Sequence, residues 1–242
     1  GAETRRGAEL TYDALGRPHI RTDQNGGTTT YAYTPDGQVA STVSSSGHAT
    51  RNEYDPDTGD LLTTVTTSPI GSTVATGYET DRVSGRVVGV FDPADRAGTE
   101  IRYAYDAWGN PTRTTYPDGT TIEHEYDAHG RLEATTDITG NVTRYAYDRV
   151  GLVVAAAQTD RAGVPLGRID YRYDEYGRVA EQTRGNGVTT TYAYTPANEI
   201  ARETATRADG TTLTDREYTY DDRGRLISRT DTRPVPNIDA GA

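Results

Sequence analysis

The feature that most constrains this chain is a short phrase that recurs along it. Its clearest copy is Tyr126-Asp127-Ala128-His129-Gly130-Arg131-Leu132, and near matches open at Tyr12-Asp13, Tyr173-Asp174 and Tyr220-Asp221. Ten units align on Tyr12, Tyr33, Tyr54, Tyr78, Tyr105, Tyr126, Tyr147, Tyr173, Tyr194 and Tyr220, at successive spacings of 21, 21, 24, 27, 21, 21, 26, 21 and 26 residues. A spacing that keeps returning to one value and departs only upward marks a single supersecondary unit that tolerates insertions.

Each unit carries two turn signals. The first is Asp-x-x-Gly beside the tyrosine, as in Tyr12, Asp13 and Gly16, then Tyr105, Asp106 and Gly109, Tyr126, Asp127 and Gly130, Tyr147, Asp148 and Gly151, Tyr173, Asp174 and Gly177, and Tyr220, Asp221 and Gly224. There the Asp side chain can accept a backbone N–H, and Gly can take a positive φ after a type I turn, the three-residue hairpin loop with a bulge. The second signal follows about ten residues later, as in Asp137-Ile138-Thr139-Gly140 and Tyr116-Pro117-Asp118-Gly119. The stretches between turns have strand length. They alternate with a period of two: Ile101, Tyr103 and Tyr105 share one face, and Glu100, Arg102 and Ala104 the other. The pattern predicts an all-β fold of tandem hairpins forming one long antiparallel sheet. Pro69 to Thr76, Asp81 to Ser84, Pro93 to Gly98, Arg161 to Gly167 and Ala208 to Thr214 are expected to be longer surface loops.

Composition narrows the alternatives. Only 33% of the 242 residues are hydrophobic and the mean hydropathy is −0.77, which argues against a thick two-layer core. The 18 tyrosines, with many Thr, Val and Ile, argue against disorder, because these residues favour strands. The expectation is a single repeat array over 1–242, regular from 10 to 232, with an irregular tail at 233–242 that contains Pro234 and Pro236. With no Cys, neither disulfides nor thiolate metal sites can staple the fold. The absence of Met suggests a piece of a longer protein. A net charge of −11 spread along the chain disfavours nucleic acid and anionic membranes as partners. No run is long and apolar enough for a membrane span, and Gly1 to Leu10 does not read as a signal peptide, so a soluble fragment is expected.

Tyr-Asp-x-x-Gly-Arg with an upstream Tyr-x-Tyr, repeated about every 21 residues from Leu10 to about Thr232, resembles the YD repeats of rearrangement-hotspot (RHS) proteins. Teneurins and the C components of tripartite insecticidal toxin complexes share these repeats. The resemblance implies hairpins joined into a long sheet that spirals into a hollow shell, which in bacterial members encloses a toxic C-terminal domain. It also implies a secreted or cell-surface parent protein. This sequence departs from the pattern where Thr-Pro follows Tyr33 and Tyr194, where Glu79 follows Tyr78, and where one unit ends in Gly151-Leu152. Bacterial shells of the family carry aspartates for self-cleavage in an end segment, and Arg233 to Ala242 shows no such motif.

Candidate chemistry is sparse. The repeated aspartates are explained by turn capping. Asp55, Asp57 and Asp60, in Asp55-Pro56-Asp57-Thr58-Gly59-Asp60, form the best calcium candidate, since alternate carboxylates near a Gly can converge on a hard cation, but the downstream Glu of an EF-hand is missing. His19, His48, His124 and His129 lack metal-ligand spacing. No nucleophile elbow, P-loop or dinucleotide fingerprint occurs, so neither a catalytic residue nor a cofactor is predicted. The recurring Tyr-x-Tyr pairs read as cross-strand aromatic ladders more readily than as a sugar-binding surface.

These readings converge on a non-catalytic shell segment that encapsulates or displays a toxin or another part of its parent chain. The alternative is an extracellular adhesion or carbohydrate-binding module. The partners expected are other YD repeats of the parent, a toxin cargo, and further copies meeting edge to edge. About twenty strands at roughly 4.8 Å make a strip about 95 Å long. Closed on itself, such a strip is about 30 Å across, and inner side chains narrow the opening to about 20 Å, too little for a folded cargo about 30 Å in diameter.

Overall fold

The computed structural model describes residues 8–232. The expected tail at 233–242 and the segment read for a self-cleavage motif lie outside these residues, as does most of the segment read for a signal peptide. The chain packs as two units, divided between Thr121 and Ile122.

The first unit contains β1 (Glu9–Tyr12), β2 (Pro18–Thr22), β3 (Thr28–Tyr33), β4 (Val39–Ser44), β5 (Ala49–Tyr54), β6 (Leu61–Thr67), β7 (Thr73–Thr80), β8 (Val87–Phe91), the short helix α1 (Arg96–Thr99), β9 (Ile101–Tyr105) and β10 (Pro111–Thr115). Each strand from β1 to β10 pairs antiparallel with the next in chain order. The second unit repeats this meander with β11 (Thr121–Tyr126), β12 (Leu132–Thr136), β13 (Val142–Tyr147), β14 (Val153–Thr159), β15 (Pro165–Tyr173), β16 (Val179–Arg184), β17 (Thr189–Tyr194), β18 (Ile200–Thr206), β19 (Thr212–Tyr220) and β20 (Leu226–Asp231). The fold is all-β and antiparallel. No helix among the described residues is long and apolar enough to cross a membrane.

The period-two pattern explains which side of each sheet is drier. In β13 the alternate residues Tyr145 and Tyr147 are half-buried while Arg144 and Ala146 are exposed, and β17 repeats this with Tyr192 and Tyr194 against Thr191 and Ala193. Neither side is dry enough to make a core. Among the described residues the buried apolar side chains are Ala134 and Ala155, and the buried polar one is Thr190. Ala134 pairs in register with both Glu125 and Arg144, whose side chains meet 3.5 Å apart. A methyl group between two long charged neighbours is thereby shielded by their stems, not by a second layer.

Of the five segments expected to be long loops, those at 69–76, 161–167 and 208–214 run from a short turn directly into strand. The residues inserted near Thr73, Pro165 and Thr212 lengthen two strands at once. Thr67 pairs with Thr73, Thr159 with Pro165 and Thr206 with Thr212. The inserted Thr, Val and Leu residues suit a pleated surface, so the ladder continues through them. Among the described residues the insertion that leaves the sheet is the one before β9. There Asp95 caps α1 by accepting from the Gly98 N–H, and Arg96 reaches back over the Phe91 ring and onto Glu79 and Glu100. Gly77 makes room for that ring, since a Cβ at Gly77 would collide with Phe91.

Candidate functional site at the turn edge

The recurring chemistry of the repeat collects at the edge where each Tyr-Asp turn lies. In the turn at Asp127, the Asp127 N–H donates to the Arg131 carbonyl at 2.8 Å and the Gly130 N–H donates back to the Asp127 carbonyl at 2.9 Å. Gly130 has φ 76°, and the register shifts between Glu125 and Tyr126, the bulge that a three-residue loop imposes. Asp127 Oδ1 accepts from the backbone N–H groups of His129 and Arg131, and Oδ2 from Arg131 Nε at 2.7 Å. The Arg131 N–H, against the opposing effect of partial desolvation, then the Arg131 guanidinium and the His129 N–H hold the Asp127 carboxyl down at about 2.

The same cup recurs. Asp13 is bound by Leu15 and Arg17, Asp174 by Tyr176 and Arg178, and Asp221 by Arg223 and Arg225. Asp106 uses Trp108 and both the backbone and side chain of Asn110, and Asp148 uses the N–H groups of Val150 and Leu152. Gly16, Gly109, Gly151, Gly177 and Gly224 share the positive φ of Gly130. Asn198 takes that position in the turn after Tyr194, at φ 70°, as Asn tolerates better than most residues.

Seven of the motif tyrosines tie their turns to the preceding hairpin. The O–H of Tyr33 donates to the Pro18 carbonyl, Tyr54 to Val39, Tyr105 to Val87, Tyr147 to Leu132, Tyr173 to Val153, Tyr194 to Val179 and Tyr220 to Ile200, at 2.6–2.9 Å. The acceptor is the second residue after the preceding turn glycine, or after Asn198 at Ile200. Where the first residue after it is Arg, the guanidinium covers the next ring. Arg17 lies 4.4 Å from the Tyr33 centroid, Arg131 4.6 Å from Tyr147, Arg178 4.4 Å from Tyr194 and Arg86 5.8 Å from Tyr105. Desolvation raises the Tyr173 and Tyr194 pKa values, in keeping with hydroxyls held as donors.

This geometry corrects the aromatic-ladder reading. Tyr31 faces Thr42, Tyr145 faces Ala156, Tyr171 faces Gln182 and Tyr192 faces Glu203. A tyrosine strand pairs with a strand that lacks the motif, so the next ring lies two strands away, and at Tyr33, Tyr105, Tyr147 and Tyr194 the ring's partner is an arginine. It also reassigns one repeat. Thr80, not Tyr78, occupies the tyrosine position, since Thr80 pairs with Val87 across the bulge and Asp81 opens the turn closed by Gly85.

The calcium candidate is arranged as a turn. Asp55 Oδ1 accepts from the N–H groups of Asp57 and Thr58, while Asp60 Oδ2 accepts from the Thr58 hydroxyl at 2.8 Å. No group of three or more His, Asp or Glu side chains among the described residues is placed to hold a metal. The histidines are dispersed. His124 Nδ1 lies 3.1 Å from Thr135 Oγ1, His48 Nδ1 lies 3.1 Å from Ser46 Oγ on an exposed turn tip, His129 stands near Asp127, and His19 is exposed.

Comparison with known proteins agrees with this construction. The family model described as Teneurin YD-shell matches residues 3–163. Crystal structures of TcdB2-TccC3, TcdB2-TccC3-Cdc42 and TcdB2-TccC3-TEV match at TM-scores of 0.76, 0.77 and 0.75 with 20% identity, over 95%, 95% and 94% of this chain. This chain spans only 12–13% of the chains it matches. A search of curated protein sequences finds no match.

Proposed function

We propose that this chain, which belongs to the Teneurin YD-shell family, is a non-catalytic wall segment of a shell that encloses a passenger carried by its own parent chain. The observation that carries this reading is the clamp between successive hairpins. It spends the Asp, Arg and Tyr side chains that could otherwise do chemistry on holding one hairpin to the next. A wall needs lateral continuity more than a core, and the hydroxyl-to-carbonyl bonds at Tyr147, Tyr173, Tyr194 and Tyr220 are lateral ties. The matched TcdB2-TccC3 chains are about eight times as long, which fits a segment that contributes part of an enclosure. The exposed end strands β1 and β20 present edges on which further repeats of the parent can pair.

The test is protease protection. A protease-sensitive domain fused after Ala242 is expected to be cut freely when these ten hairpins are its only neighbour. The same domain is expected to be protected within a full parent chain, and to lose protection when Tyr147, Tyr173 and Tyr194 are together replaced by Ala in that parent. Protection by the isolated segment, or undiminished protection in the triple variant, overturns the enclosure reading.

A further inference from the structure

We propose that the recess between Glu199 and Tyr220 is a seat for the guanidinium of an arginine side chain carried on another polypeptide segment. The molecule supplies its own template. Arg17, Arg131 and Arg178 each follow a turn glycine directly and lie 4.4–4.6 Å from the ring centroid of the next repeat's tyrosine. Glu199 follows Asn198 at the equivalent position and lines one recess with Tyr220, so a carboxylate stands where those three repeats carry a guanidinium.

The ring is nevertheless held as the others are. The Tyr220 O–H donates to the Ile200 carbonyl at 2.9 Å, as Tyr194 does to Val179 at 2.8 Å and Tyr147 to Leu132 at 2.7 Å. Beside it lies a recess of about 500 Å³ lined by Thr195, Glu199, Tyr218, Tyr220, Asp221 and Asp222, among others, with no basic side chain in its lining. Asp221 is already paired with Arg225 at 2.6 Å. Glu199, fixed by the Thr195 hydroxyl at 2.6 Å, and Asp222 supply the remaining negative charge of the lining. An aromatic face and a carboxylate converging on one space favour a flat organic cation, and the guanidinium matches both at once.

A second recess, of about 490 Å³, opens where Leu152 replaces arginine ahead of Tyr173. Val150, Leu152 and Val154 line it together with Asp148, Asp174 and Glu175, and Arg172 in its wall supplies a cation from within. What sets the Tyr220 recess apart is Glu199 at the arginine position and a lining without a basic side chain. An arginine on a chain segment is the occupant favoured here because each filled seat in this molecule receives its arginine from a neighbouring strand end. The inference does not depend on the enclosure reading.

The test is a titration of this chain at low ionic strength with the capped peptide acetyl-Gly-Gly-Arg-Gly-amide, followed by NMR of the tyrosine rings. Saturable shifts are expected at Tyr220, with Tyr194 unmoved as the internal reference. The citrulline counterpart, which keeps the shape and removes the charge, is expected to bind at least tenfold more weakly. Glu199→Arg should fill the seat from within, abolish the shifts and raise the melting temperature. Glu199→Gln should fold normally and bind several-fold more weakly. No shift at Tyr220, equal binding of the citrulline peptide, or undiminished binding by Glu199→Arg overturns the seat. Agmatine binding as tightly as the peptide overturns the assignment to a chain segment.

Discussion

Gly130 and Gly77 show two different reasons for a residue without a side chain. A Cβ at Gly130 meets nothing within 4 Å, but the backbone has φ 76°, where a β-branched residue is strained. Gly130→Val is therefore expected to cost about 1–3 kcal/mol through the backbone alone. Gly130→Asn should cost distinctly less, as the native Asn198 at φ 70° suggests. Thermal melts followed by circular dichroism check the order, and a neutral valine variant would contradict the turn geometry. At Gly77 the φ is ordinary and the obstacle is the Phe91 ring, so Gly77→Ala should be tolerated only when Phe91 is also shortened.

At the scale of the hairpin, the clamp divides into parts that can be removed singly. Tyr147→Phe deletes the hydroxyl bond to Leu132 while keeping the ring under Arg131, and is expected to cost about 0.5–1.5 kcal/mol. A double-mutant cycle between Arg131→Ala and Tyr147→Leu, read by urea denaturation, should return a coupling of about 0.5–1 kcal/mol for the stacked pair. Additive effects would mean that the 4.6 Å contact contributes nothing of its own. The hairpins themselves were legible in the sequence, because turn chemistry and alternation are local. The clamp was not, because Tyr147 and Leu132 lie fifteen residues apart and only the register brings them together. The reassigned repeat shows the same limit. Tyr78 sits two residues before Thr80 on the same face, so a count anchored on tyrosine mistakes the upstream ring for the motif, and only the bulge opposite Val87 separates them. The lengthened strands were missed for a related reason, since a Gly or Pro near Thr73 and Pro165 looks like loop until its partner strand is known.

For the molecule as a whole, acid acts through two effects. The folded pKa values of Asp13, Asp81, Asp106, Asp127, Asp137, Asp174 and Asp221 all lie below the ordinary carboxylate value. The stability they contribute is therefore complete above about pH 4 and is lost as pH falls through the folded values, about 2 for Asp127. Below the isoelectric point, near pH 4.8, each further proton also adds net positive charge to a chain with 25 arginines, so repulsion grows in the same direction. The melting temperature is therefore expected to fall from pH 4 to pH 2 at low salt. A rise over that range would contradict the hydrogen-bonded turn carboxylates. The ties between hairpins also decide how such a chain carries a load. With seven tyrosine hydroxyls each fastened to the hairpin before, the chain is laced as a zipper is, with one tooth at each of those repeats. Tension on an end strand loads the last tooth and not the whole row, and at Thr80, where no tyrosine reaches back, the row has a gap from which a tear can start.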